Sequence, residues 1–325
     1  AHGSLYARGD RKNHFDASAR EVLVAFICIR PTDCDARMSD TTIVDRHPIA
    51  SFFALTFAFS WGLWIPALET LRATFGRLVI VPGAFGPLAA GVVVTHLQGN
   101  SVRVWLRSIF DWRRSPRTYA RAAAVPFGIT VVLTVLAVWL AGGITAAIGP
   151  VVAVFAINIV FATLLGGGQE EFGWRGFALP RLQARYDALT ASIVVGVAWA
   201  LWHAPMFAFG IYQLSPLPYA VGVVAFSVVL TWLYNSSRGC VPAMVLAHGL
   251  YNASVNVAPA LVGGKSALPV PFTVLLAAVV SALAVVLVWR YGRASLAPRP
   301  VYTQSRSGPS SRDTTDADPA VASEP

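Results

Sequence analysis

Between residues 49 and 292 the chain carries only five carboxylates, Glu69, Asp111, Glu170, Glu171 and Asp187, and three histidines, His96, His203 and His248. Glu69, Asp111 and Asp187 are expected to fall in loops. Glu170 and Glu171 instead follow the apolar run Phe161-Ala-Thr-Leu-Leu-Gly-Gly-Gly-Gln169 and precede Phe172, Trp174 and Phe177. An ionisable pair in such a setting is expensive and normally faces the protein interior. His203 lies within Val197-Ala-Trp-Ala-Leu-Trp-His-Ala-Pro-Met-Phe207, and His248 within Met244-Val-Leu-Ala-His-Gly-Leu-Tyr-Asn252. His96 ends an apolar run and reads as an interfacial residue.

The spacings add chemistry. Glu171 and Arg175 are four apart and would share a helix face, as would Trp199 with His203 and His248 with Asn252. An internal Glu171–Arg175 pair would offset the cost of burying the carboxylate. Gly166-Gly-Gly168 permits a close backbone approach or a helix break, and Pro205 ends or kinks a helix just after His203. Two chemistries follow from one carboxylate and two imidazoles. A glutamate could take a proton from water, helped by one His, while the other His and Asn252 donate to a developing oxyanion. Alternatively Glu170, His203 and His248 could ligate Zn²⁺ with an open position for water. No HExxH occurs, so the short zincin motif is absent. Each group also has a plain structural reading: a His bonded to a carbonyl, a Glu171–Arg175 ion pair, a His248/Asn252 contact between helices. All three holding at once in this order is the least economical account.

The elements that position these residues are apolar. Of 325 residues 55% are hydrophobic and 13% charged, with a mean hydropathy of +0.59. Too little polar surface exists to cover a soluble core of that composition. The net charge of +9 is carried almost wholly by Arg in loops and tails, which suits membrane topology and argues against a nucleic-acid partner. Cys28, Cys34 and Cys240 form no CxxC and are odd in number, so neither a disulfide framework nor a thiolate metal site is indicated.

About eight apolar spans are expected, at roughly 48–68, 77–98, 119–143, 149–168, 189–209, 218–235, 241–261 and 268–290. The segment Ser101–Arg114 between the second and third is amphipathic and reads as interfacial. Loops after even-numbered spans are the richer in Arg, which together with an even number of spans places both termini in the cytoplasm. Membrane lipid is thus one partner, and the plasma or cytoplasmic membrane the expected location. Residues 1–46 read as an N-terminal extension, 47–292 as the membrane domain and 293–325 as a disordered cytoplasmic tail. Met38 is the first methionine and is expected to be the physiological start; a native N-terminal peptide beginning earlier would sink that expectation.

Glu170-Glu171-x-x-x-Arg175, then Trp199-x-x-x-His203, then His248-x-x-x-Asn252, in that order on consecutive spans, resembles the CPBP family of type II CAAX prenyl endopeptidases and Abi proteins. The resemblance covers about residues 160–257. It implies an all-α intramembrane endopeptidase with a polar cavity open to the cytoplasm, acting on a peptide or protein substrate, possibly prenylated. By it, Glu170 activates water, His203 positions that water, His248 and Asn252 form the oxyanion hole, and Glu171, Arg175 and Trp199 support the site. No cofactor is required, although family members are often labelled metalloproteases and zinc on Glu170, His203 and His248 stays open. Asn252 is a poor zinc ligand and a good oxyanion donor. The pattern usually has Phe where Trp199 stands, and this departure is expected to leave the chemistry untouched. Two other readings compete: a non-catalytic peptide-binding scaffold or immunity protein, and a transporter with a Glu/His proton relay. The transporter ranks last because the polar groups cluster in the C-terminal half, without the second set expected of inverted repeats.

Overall fold

A computed structural model of the chain describes residues 42–298. The expected start at Met38, Cys28, Cys34 and the tail from residue 299 lie outside the described residues. Within them every regular element is helical and no strand occurs. Seven helices are long and apolar enough to cross a membrane: Pro48–Thr70, Leu78–Leu97, Pro116–Ala141, Ile148–Gln183, Ala188–Ala208, Pro216–Ser236 and Phe272–Tyr291. The protein is an all-α, polytopic membrane protein.

The run expected to span at 241–261 does not do so as one helix. It forms a helix of 14 residues, Val241–Ser254, and a short second one, Val257–Leu261. At about 1.5 Å per residue the first rises about 21 Å, short of the roughly 30 Å hydrocarbon core. Its residues are apolar because most of them are buried inside the protein, and run length alone does not separate burial in protein from burial in lipid. A break at this depth is tolerated where protein surrounds it. The parity argument for two cytoplasmic termini needed an even number of full spans, so it loses that support.

The chain divides into two compact units at residues 110 and 111. In the first, α1 (Pro48–Thr70) packs on α2 (Gly86–Leu97). Ser60 Oγ donates to the Gly83 carbonyl at 2.7 Å and Trp64 Nε1 to that of Ile80 at 2.6 Å, which ties down the tight turns before α2. His96 is exposed near the end of α2. The amphipathic segment forms α3 (Val102–Ile109), whose first turn is capped by the Ser101 hydroxyl.

The second unit holds α4 (Pro116–Ala141), α5 (Ile148–Leu164), α6 (Ala188–Trp202), α7 (Pro216–Ser236), α8 (Val241–Ser254) and α9 (Phe272–Tyr291). α8 packs against α4 and α5, while α7 packs against α6 and α9. The approach of α8 to α5 is close: a Cβ on Gly249 would overlap the backbone and side chain of Thr163. Only glycine permits that approach.

After α9 the chain returns as a strap. Leu189 and Ala188 donate their N–H groups to the carbonyls of Arg293 and Ala294 at 3.0 and 3.1 Å. Asn235 Nδ2 donates to the Ser295 carbonyl at 2.7 Å, and Leu296 is fully buried. Arg293 also reaches Asp187 at 2.8 Å. Asp187 is the N-cap of α6 and accepts from the Thr190 N–H. That bond, with help from Arg293, holds its carboxyl below the usual carboxylate range. The tail read as beginning at residue 293 therefore has its first residues bound to the helical core.

Candidate active site

α5 stops at Leu164 because the chain must turn at Gly167, whose φ is +132°. That backbone conformation is strongly unfavourable for any residue with a Cβ. The turn is tied by Gln169, whose Oε1 accepts from the Gly167 N–H at 3.0 Å and whose Nε2 donates to the Leu165 carbonyl at 3.1 Å. Helix then resumes irregularly. A tight turn covers Gly168–Glu170, a short α-helical piece Glu171–Gly173, a widened π-type turn Trp174–Ala178 and an α-helical piece Leu179–Gln183. π-type turns recur at functional sites, where they re-aim side chains.

Glu171 and Arg175 are both fully buried, and Arg175 donates to Glu171 Oε1 at 3.0 Å. The expected pair is therefore present, and it has company. His248 Nδ1 lies 2.9 Å from the same Glu171 oxygen. Arg175 also donates to Ser227 Oγ at 3.0 Å, and Ser227 in turn donates to the Ser192 carbonyl at 2.8 Å. This chain of bonds links the irregular segment to α6, α7 and α8. With a proton on Nδ1 facing the carboxylate, the His248 ring can accept at Nε2. Asn252 fits that role: its Nδ2 lies 3.1 Å from His248 Nε2 and donates to the Gly166 carbonyl at 2.8 Å.

Glu170 is buried and its Oε2 accepts from the indole N–H of Trp199 at 2.8 Å. The departure from phenylalanine at position 199 is therefore more than a change of volume, since a phenylalanine has no such donor. α6 ends at Trp202, one residue after which His203 caps it, and a short helix with Pro205 follows. The break foreseen from Pro205 is present. His203 Nδ1 lies 2.9 Å from the Trp199 carbonyl. Since a carbonyl only accepts, Nδ1 carries the proton and Nε2 keeps its lone pair. Around His203 stand Trp202, Tyr212 and Tyr219, with ring centroids 4.9, 5.8 and 5.5 Å away.

All seven residues singled out from the sequence thus lie in one connected cluster. Glu171, Arg175, His248 and Asn252 are joined by direct bonds. Glu170 and His203 join them through Trp199. Sequence reasoning missed Gln169, Ser192, Ser227 and the backbone carbonyl of Gly166. A serine or glutamine in an apolar span signals a polar contact without naming its partner.

The donors do not form a metal cage in this arrangement. No group of three or more His, Cys, Asp or Glu side chains among the described residues is placed to hold an ion. His248 points Nδ1 at Glu171 and faces Asn252 with Nε2, while Glu170 Oε2 is bonded to an indole.

Residues 150–254 match the family model described as type II CAAX prenyl endopeptidase Rce1-like. This segment is similar to that family. It contains the whole cluster, from Glu170 to Asn252, and the resemblance read from the three motifs is borne out. A protein of Methanococcus maripaludis, CAAX prenyl protease 2, is similar to the chain at 24% identity over 223 residues, which cover 61% of this chain and 80% of the relative. Both similarities are to proteins described as CAAX prenyl endopeptidases or proteases.

Proposed function

We propose that the chain is an intramembrane endopeptidase in which Glu170 activates water. One observation carries the reading: the carboxylate of Glu170, both histidines and the half-buried Asn252 share one connected cluster, with Nδ1 of each histidine committed to an oxygen acceptor. That commitment fixes the tautomers and ring orientations before substrate arrives, which is how a site avoids reorganisation during reaction.

The steps balance with these groups alone. Glu170 takes a proton from water as the hydroxide oxygen bonds to the peptide carbonyl carbon, and His203 Nε2 accepts a hydrogen bond from that water. The carbonyl oxygen becomes an oxyanion. Asn252 Nδ2 turns to it from His248 Nε2 and donates the hydrogen bond, while His248, held on Glu171 through Nδ1, keeps Asn252 in place. Glu170 then hands its proton to the departing amine nitrogen as the C–N bond breaks. Arg175 compensates Glu171 throughout.

The substrate proposed is a peptide or protein tail near the membrane surface, of the CAAX prenyl type named in the similar proteins. The test follows cleavage of a quenched fluorescent CAAX-type peptide by purified protein, with Glu170→Ala as control and a zinc chelator in parallel. Cleavage by wild type alone, unchanged by chelator, is the expected result. Loss with chelator and recovery with Zn²⁺ would move Glu170, His203 and His248 into the role of ligands. Equal turnover in wild type and Glu170→Ala would overturn the assignment.

A further inference from the structure

Trp199 touches more of the cluster than any of the residues assigned a chemical step. Its indole N–H donates to Glu170 Oε2 at 2.8 Å, and its backbone carbonyl faces His203 Nδ1 at 2.9 Å. Its ring meets His248 edge-on, with centroids 4.9 Å apart at 77°. The Arg175 guanidinium carbon lies 5.1 Å from the centroid of the same ring. The side chain is almost fully buried. One residue therefore contacts the proposed base, its partner histidine, the second histidine and the internal cation.

The chemistry of an indole suits this place. It donates one hydrogen bond and accepts none through nitrogen, and it does not ionise in the working range. It can hold a carboxylate without competing for the proton that the carboxylate must collect. A hydroxyl or an imidazole at the same distance could exchange that proton. The bicyclic ring has only two side-chain torsions, and its packing on His248 and Arg175 restricts both. Phenylalanine would keep much of that packing and lose the donor.

We infer that Trp199 is a positioning residue for Glu170: its N–H engages Oε2 and orients the carboxylate. The inference rests on the reading of Glu170 as the base, and it extends that reading to a residue where the chain departs from its family's pattern. Trp199 holds Glu170 and takes no part in bond making.

Two measurements test it together. In the first, Trp199→Phe and a benzothiophene isostere of Trp199, which keeps the bicyclic shape without an N–H, are compared with wild type in peptide cleavage. Both are expected to lower kcat by about 10- to 100-fold with KM little changed, the value of one hydrogen bond to a charged group. An isostere with wild-type kcat would mean that ring volume alone matters and would overturn the inference. In the second, the indole N–H resonances of ¹⁵N-labelled protein are recorded, with Trp199 assigned by its loss in Trp199→Phe. That resonance is expected to move in Glu170→Gln and further in Glu170→Ala. A resonance indifferent to both would also overturn the inference, whatever the activity. A moving resonance in a protein that cleaves nothing would support the Trp199–Glu170 bond and count against the endopeptidase reading alone.

Discussion

Gly167→Ala is the smallest change that should disable the site from the backbone side. A Cβ at this position would fall on Asn252 Nδ2 and 2.8 Å from His248 Nε2. Ordinary contact begins near 3.4 Å, so the histidine must retreat by about 0.6 Å and the asparagine by more. That movement breaks the 3.1 Å contact between them and the 2.8 Å bond from Asn252 to Gly166. A misplacement near 1 Å in a catalytic constellation costs on the order of 100-fold in rate. Alanine at a φ of +132° adds about 1–3 kcal/mol of backbone strain. The assay pairs turnover of the CAAX-type peptide with thermal unfolding in detergent. The expected outcome is a kcat lower by about 100-fold, with a protein still folded but less stable. Wild-type kcat in folded Gly167→Ala would refute the placement of Asn252, held by His248, at the oxyanion.

Other perturbations follow from the same contacts. Arg175→Met leaves Glu171 fully buried without its cation and is expected to cost about 3–5 kcal/mol of stability; thermal unfolding should show the double change Glu171→Leu with Arg175→Met recovering most of it. Asn252→Ala should lower turnover while the affinity for a non-cleavable peptide holds, because the oxyanion exists mainly in the transition state; equal losses of both would count against that role. Asp187→Ala removes the cap of α6 and the partner of Arg293, for about 1 kcal/mol. Since the folded carboxyl of Asp187 sits below its ordinary range, its contribution is present above about pH 4 and is lost as pH falls through the folded value. The gap in stability between wild type and Asp187→Ala should accordingly close in acid.

The sequence disclosed the site better than it disclosed the spans. Glu171 with Arg175, and His248 with Asn252, were legible because a four-residue spacing on a helix puts both tips on one face, and in each case the bond is there. The break after His203 was legible from Pro205, and the turn before Glu170 from three glycines. What escaped were contacts between elements distant in the chain. Ser227 binds Arg175 across 52 positions and Trp199 reaches Glu170 across 29, and nothing local to either residue encodes its partner. The run 241–261 misled for a related reason. Hydropathy measures exclusion from water, and α8 is excluded by its neighbours as well as by any lipid.

The strap formed by residues 293–296 bears on how the protein is made. Asp187 waits for a partner 106 residues further along the chain, and Asn235 for one 60 residues on. At about 5–20 residues per second of synthesis, the start of α6 spends roughly 5–20 s without its closing contact. During that interval the N–H groups of Ala188 and Leu189, later donors to the strap, must be served by water or headgroups. The strap contacts are thus among the last that α6 and α7 acquire during synthesis. A protein arrested before α9 would hold all three motifs while the start of α6 still lacked its strap.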